Sequence, residues 1–267
     1  MNYHSLCILT LILCCYLSSL IITSSQKDGP KGKFKKGGGA TRDHVPMLRE
    51  NKITYFNITQ ITEAVYYKRK FRIDMTTNEV AFLMKELSLV KSAYFEFGMG
   101  AQTLMSCEFA QKYNFSLYAV HSSSDIVDEL ASKACLSKMI EDGQAKLMKI
   151  DIGKTGKFGL PLNANHRENF HFYSDTIYDI RKHVDLILVD GRFRIASILK
   201  SLIKFPNARI LLHDYYEPYH YRVYSPVRNY AYVLESSDTF VRLRRKDEIT
   251  DDMIRENLPT YSKNVNR

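Results

Sequence analysis

The chain has 267 residues, is 45% hydrophobic with 14 Phe and 18 Tyr, and carries a formal charge of +9. That is enough apolar material for about one packed domain once the N-terminal segment is set aside, and it excludes global disorder. No nucleic-acid-binding motif accompanies the charge and no zinc spacing accompanies the five cysteines, so neither a nucleic-acid partner nor a zinc site is expected.

Residues 1–26 contain no Asp, Glu, Lys or Arg, and residues 6–22 are almost wholly apolar. The run lies between a secretory h-region and a bilayer-spanning helix, so it reads as a signal anchor or a cleaved signal peptide. Residues 27–43 follow as a basic, glycine-rich flexible linker. Its lysines favour a cytosolic linker by the positive-inside rule. The sequons at Asn57 and Asn114 favour the opposite orientation. The orientation adopted is a single-pass membrane protein with its domain in the ER/Golgi lumen, with a secreted protein as the alternative. Cys107 and Cys135 fall in helical stretches and read as two buried thiols, with one bridge between them as the alternative.

Residues 44–75 form an N-terminal extension, either helix or irregular cap. Thr76 and Glu79 have capping-box spacing, and Val80, Leu83, Met84 and Leu87 recur at helical intervals, which predicts a helix with one buried face. Strands and helices then alternate. Strands are expected over 93–97, 116–120, 145–150, 184–189 and 208–212. Helices are expected over 102–112, 124–140 and 194–204. A closing hairpin of strands 230–235 and 239–245 turns at Ser236-Ser237. This order predicts an α/β fold: a three-layer sheet of about seven mainly parallel strands with a C-terminal antiparallel hairpin, over residues 76–250. Residues 251–267 read as a loose tail. The long stretch 151–183 reads as a substrate-covering loop. His166, His171 and Asp175 within it do not make a metal pattern.

The strand at 93–97 runs into Gly98-Met99-Gly100 and a helix. Such a turn presents free N–H groups, and the glycines let a ligand approach the backbone. No Lys or Arg lies between Glu96 and Thr103, which disfavours a phosphate. Glu96 suits a ribose hydroxyl or a ligand ammonium.

EFGMGAQT at 96–103 resembles the first motif of the class I S-adenosylmethionine-dependent methyltransferases. KIDIGKTGKFGLP (149–161), LILVDGRFRIA (186–196) and ILLHDYYEPYHYRV (210–223) resemble one branch of that superfamily, and the resemblance spans about residues 76–245. It implies a Rossmann-like fold and S-adenosyl-L-methionine as cofactor. Glu96, Gly98 and Gly100 would line its methionine part. His121 and Ser122 stand where an acid usually takes the ribose hydroxyls, and Asp151 stands near the adenine amino group.

Ligands of such sheets sit at the carboxyl ends of the strands. Asp190 and Arg192 end one strand; His213 and Asp214 end its neighbour. Asp190 is the first candidate for a base or substrate orienter. His213 is the second, because an unshifted imidazole titrates near neutrality. Asp190 and Asp214 could hold a divalent cation such as Mg. Arg192 would pair with a substrate carboxylate, sulfate or phosphate, or else with Asp190 or Asp214; Arg194 reads as structural. Tyr215, Tyr216, Tyr219 and Tyr221 with His220 suggest an aromatic lip for a sugar or planar ring.

The function expected is methyl transfer to an oxygen of a small-molecule or glycan-like acceptor. The first alternative is a catalytically weakened relative acting as a binding or scaffold protein, supported by the missing ribose acid. The second is a nicotinamide-dependent oxidoreductase, which the absence of a third glycine after Gly100 and of an acid ending the second strand opposes. No GxSxG elbow points to a hydrolase. Nothing in the sequence fixes an oligomeric state.

Overall fold

The computed structural model describes residues 52–265. The N-terminal apolar segment, the basic linker and the beginning of the extension lie outside the described residues. Among the described residues, no helix is long and apolar enough to cross a membrane. This corrects the expectation of a transmembrane or signal-anchor helix, of a membrane partner, and of a single-pass lumenal protein. The apolar run that prompted it, residues 6–22, is outside what the structure describes.

Eight described strands form one sheet: β1 (Lys52–Ile53), β2 (Ala93–Phe97), β3 (Ser116–His121), β4 (Ala145–Lys149), β5 (Leu186–Val189), β6 (Arg209–Leu212), β7 (Ala231–Ser237) and β8 (Phe240–Arg245). Their spatial order is β1-β7-β8-β6-β5-β2-β3-β4. The five strands β4, β3, β2, β5 and β6 are mutually parallel. β8 joins antiparallel to β6 and to β7. The extra strand, β1, pairs parallel with β7. The reversal of strand order falls between β2 and β5. From these two parallel strands the chain continues to neighbours on opposite sides, β3 beside β2 and β6 beside β5, so a crevice opens beyond their carboxyl ends.

Nine helices accompany the described strands: α1 (Ile58–Phe71), α2 (Thr77–Leu87), α3 (Ala101–Tyr113), α4 (Ser124–Ala131), α5 (Ala134–Glu141), α6 (Phe170–Asp175), α7 (Arg194–Lys204), α8 (Tyr221–Tyr224) and α9 (Asp251–Ser262). The extension is therefore helical, and Asn57 starts α1 with a capping box to Gln60. Thr76 and Glu79 make the expected capping box on α2. The helix expected over 124–140 breaks in two at Ser132-Lys133.

The period-two alternation of strand side chains sorts the core into two layers. Tyr94, Leu117, Leu186, Leu188 and Leu211 pack with Leu83 and Leu87 of α2 and with Met105 and Phe109 of α3. Phe95, Phe97, Ile187, Val189 and Leu212 pack on the other face with Ile195, Leu199 and Leu202 of α7. Each such fully buried side chain contributes roughly 1.5–3 kcal/mol.

Three further expectations are corrected. Cys107 of α3 and Cys135 of α5 form a disulfide and are not two free thiols. The hairpin turns at Asp238-Thr239, where Asp238 takes a left-handed φ of 49°, two residues beyond Ser236-Ser237. The tail is largely helix: Ile254 and Tyr261 of α9 are buried against the α7 layer, and Arg245 holds its start through the Ile249 carbonyl and Asp251.

Candidate cofactor and acceptor cleft

A cleft of about 950 Å³ opens at the carboxyl ends of β2, β3, β5 and β6. Gly98, Gly100, His121, Ser122, Asp190, Arg192, His213 and Asp214 all line it. Glu96 and Asp151 are not among the lining residues.

Gly98 leaves β2 at φ +99°, a left-handed conformation that favours glycine. A Cβ there would lie 2.5 Å from the Gly191 nitrogen and 2.7 Å from the Asp190 carbonyl carbon. The turns after β2 and β5 thus touch backbone to backbone. Gly191 is equally confined, since a Cβ on it would meet the Tyr173 hydroxyl and Gly98. Gly100 is different: its backbone is extended, and a Cβ would meet only the Gln102 side chain at 2.6 Å.

Glu96 sits behind this turn. The strand alternation that places Tyr94 under α3 places Glu96 there too. Its carboxyl accepts hydrogen bonds from Gln102 Nε2 (2.9 Å), Thr103 Oγ1 (3.0 Å) and the Tyr94 hydroxyl (3.1 Å). Thr103 Oγ1 in turn accepts from the Gly100 N–H, and Gln102 Nε2 also donates to the Gly98 carbonyl. Burial pushes Glu96 up to about 8, against these hydrogen bonds and with help from the Asp190 charge. Glu96 therefore braces the glycine turn as a largely neutral group.

His121 ends β3 facing the cleft. Its Nδ1 accepts from the Ser123 N–H at 2.9 Å, so the neutral ring carries its hydrogen on Nε2. Burial, assisted by the charge of Arg192, holds its pKa below the ordinary value. A neutral Nε2–H can donate to a hydroxyl oxygen. The loop residues Phe158, Gly159 and Leu160 also line the cleft. A Cβ on Gly159 would lie 3.0 Å from Ser122 Oγ. Asp151 caps its own loop by accepting from the Gly153 N–H, outside the cleft wall.

At the other end His213 Nδ1 lies 2.9 Å from Asp190 Oδ1, and Nε2 lies 3.5 Å from Glu79 Oε2. Burial opposes the charge on His213, but Asp190 and Glu79 outweigh it and raise its pKa to about 10. Burial likewise opposes ionisation of Glu79, yet the His213 contact, with Thr239 and Thr76, brings it down to about 2. His213 is thus an imidazolium with both nitrogens committed. It is not a free base. The titration near neutrality expected of an unshifted histidine is overturned by the two carboxylates.

Asp190, His213 and Asp214 bring ligand atoms within 4.8 Å of one another, as a metal site would. Arg194 nevertheless spans the two carboxylates, with Nη2 3.3 Å from Asp190 Oδ1 and Nη1 3.0 Å from Asp214 Oδ2. The same guanidinium donates to the Gly191 carbonyl (3.0 Å) and the His213 carbonyl (2.6 Å). A cation is already built into the acidic pair, so these residues do not fit a divalent metal as they stand.

Arg192 behaves differently from Arg194. It makes no ion pair, and its buried Nε has no hydrogen-bond partner. Burial and the neighbouring Arg194 charge hold its pKa below the usual value. The aromatic lip is not on the cleft: Tyr215 and Tyr216 are buried in the core and Tyr219 is exposed. His220 and Tyr224 line the cleft instead.

Sequence reasoning missed Glu79 as a cleft residue and gave His220 no role beyond the aromatic lip. Glu79 carried only a helix-capping signal. His220 stood among tyrosines as one more ring, yet its Nδ1 lies 4.0 Å from Asp214 Oδ2 and has no hydrogen-bond partner. His171 faces Asp175, which pairs with Lys200, away from the cleft.

The parallel sheet with its reversed centre and the closing antiparallel hairpin define a Rossmann-like α/β fold. Among solved structures, the chain is similar to a methyltransferase-like protein from Silicibacter pomeroyi, with 17% identity and a TM-score of 0.59 over 72% of this chain and 97% of that one. It is also similar to a SAH-bound methyltransferase from Podospora anserina, with 15% identity and a TM-score of 0.44 over 73% of this chain and 91% of that one. The first likeness carries the statement of fold. No protein-family model and no curated protein matches the chain.

Proposed function

We propose that the protein binds S-adenosyl-L-methionine in this cleft, on a methyltransferase fold whose expected proton-transfer residues are committed elsewhere. The observation that carries the first half is the cleft at the carboxyl ends of the strands, lined by Gly98 and Gly100 at the N-terminus of α3 and by His121 and Ser122. His121 Nε2–H and Ser122 are suited to the ribose hydroxyls in place of an acid. When bound, the cofactor would supply an electrophilic methyl group.

The second half rests on His213 and Arg194. With both imidazole nitrogens facing carboxylates, and both aspartates held by a guanidinium, the Asp190–His213–Asp214 trio is poorly placed to take a proton. This favours a binding or scaffold role for the cleft, with weakened catalysis. Methyl transfer to an oxygen of a small or glycan-like acceptor is the second reading, and His220 favours it. Its imidazole is partly exposed on the cleft wall and makes no hydrogen bond through Nδ1, so it is free to take part in proton transfer.

Calorimetric titration of S-adenosylmethionine and S-adenosylhomocysteine tests the cofactor reading. Binding by the wild type and loss of binding by Gly98→Val is the expected result. A wild-type protein that binds neither ligand overturns it.

A further inference from the structure

Arg192 and Arg194 lie two residues apart and contrast sharply. Arg194 spends its donors on two carboxylates and two carbonyls. Arg192 is half-buried and makes no hydrogen bond or ion pair through its side chain, and its Nε is sealed from solvent. Sealing the Nε–H from water without an acceptor is costly, even though the Asp190 charge partly offsets the burial of the guanidinium. Such a group is retained where a ligand completes it.

The charge balance of the cleft points the same way. Glu79, Asp190 and Asp214 face only two cations, His213 and Arg194, so this network keeps one negative charge in excess. Lys68, Arg72 and Arg192 also line the cleft, and none of them has a carboxylate partner among the described residues; the Lys68 amine donates to the Met75 carbonyl. Asp74 is the one lining acid without an ion pair among the described residues. The surplus in the open part of the cleft is therefore positive, although the fixed network beside it is rich in acids.

We infer that the acceptor end of the cleft takes an anionic molecule, whose carboxylate, sulfate or phosphate group docks on the Arg192 guanidinium. A planar fork of donors suits two oxygens of one such group at once. Asp190 acts on Arg192 only through its field, since the direct contacts of Asp190 and Asp214 are to Arg194, so the Arg192 fork stays open to a ligand. Lys68 and Arg72 add a field that attracts the same sign of charge.

This inference rests on the cofactor reading given above, and the experiment separates the two. The full chain is first saturated with S-adenosylhomocysteine, which fills any subsite for the cofactor's own carboxylate. Paired probes are then titrated at constant ionic strength by ligand-observed NMR: glucuronate against glucose, benzoate against benzyl alcohol, and inorganic sulfate and phosphate. At least one anion is expected to bind the loaded wild type, while the neutral partners do not. Arg192→Gln is expected to weaken that anion at least tenfold and leave S-adenosylhomocysteine affinity within about threefold. Arg192→Lys, which keeps the charge and loses the fork, should fall between. The class of anion that binds distinguishes a carboxylate from a sulfate or phosphate ligand.

Anion binding unchanged in Arg192→Gln, or no anion binding to the loaded protein, overturns the inference while leaving the cofactor reading standing. So does a loss of S-adenosylhomocysteine itself in Arg192→Gln with folding intact, since that assigns the guanidinium to the cofactor. A wild type that never binds S-adenosylhomocysteine sinks the cofactor reading instead.

Discussion

Glu79 Oε2 lies 3.5 Å from His213 Nε2 while the same carboxylate caps α2 through the Thr76 N–H. One side chain therefore serves a helix start, the Thr239 amide and hydroxyl in the hairpin turn, and the charge of the cleft histidine. Glu79→Gln keeps hydrogen-bonding capacity and removes the charge. The His213 pKa should fall clearly from about 10, readable by NMR titration, and stability should drop by about 3 kcal/mol, in the range for breaking a buried pair. For His213 the folded pKa lies above the unfolded one, so its contribution is complete below about 6.5 and is lost as pH rises towards about 10. For Glu79 the folded pKa is depressed, so its contribution holds above about 4.5 and is lost as pH falls towards about 2. An unmoved His213 titration in the variant would contradict this pairing.

Glu96 has the opposite sign of shift among carboxyls. Its folded pKa is raised to about 8, so its unfolded form releases a proton first. The folded state should lose stability as pH rises from about 4.5 to about 8, by at most about 1.4 kcal/mol per pH unit. Glu96→Gln should flatten this slope. Urea melts at pH 5, 6.5 and 8 on both proteins check it; parallel pH profiles would refute the neutral carboxyl.

The glycines of the first turn should not be equivalent. Gly98→Ala forces a side chain into the left-handed region and against backbone, and should cost about 2 kcal/mol or more. Gly100→Ala meets no backbone among its nearest neighbours and costs only the shift of the Gln102 amide with its bonds to Glu96 and Gly98, so it should cost about 1 kcal/mol, less than Gly98→Ala. Thermal melts of the two variants side by side decide the order.

Chelation should change nothing. With Arg194 spanning Asp190 and Asp214, excess EDTA is expected to leave both the melting temperature and S-adenosylhomocysteine affinity of the wild type unchanged. A fall in either would restore a divalent cation to the site. Arg194→Met should destabilise by about 3 kcal/mol, because it takes the direct cation from Asp214 and leaves Asp190 to share His213 with Glu79.

The Cys107–Cys135 bridge closes a separation of 28 residues and ties α3 to α5. By chain entropy alone its removal should cost about 3–4 kcal/mol. The double Cys→Ser variant, compared with wild type under non-reducing conditions, measures it.

Most of the fold was legible because it is written locally. Apolar runs bounded by turn residues marked β2, β3, β5 and β6, and the Thr76–Glu79 spacing marked the start of α2. What was not legible depends on partners distant in the chain. His213 becomes an imidazolium through Asp190, 23 positions earlier, and Glu79 on another element. Cys107 and Cys135 had spacing that fits either a bridge or two thiols. Glu96 illustrates a misread letter: alternation from Tyr94 already directed it under α3, but the motif's acid drew attention to the ligand. The α9 helix escaped notice because Pro259 interrupts its pattern. The tyrosines at 215–221 looked like a lip because composition does not tell a core ring from a cleft ring.

The contact between Gly98 and Gly191 has a geometric consequence for the whole floor of the cleft. β2 and β5 are adjacent strands, held at the spacing of their hydrogen bonds, about 4.7–4.9 Å. With no side chain on either glycine, the two turns draw closer than that just beyond the sheet, where a Cβ on Gly98 would lie only 2.6 Å from the Gly191 Cα. Backbone dimensions alone thus fix the width of the floor there. Substitutions elsewhere in the walls can reshape what the cleft holds without changing the gauge on which it is built.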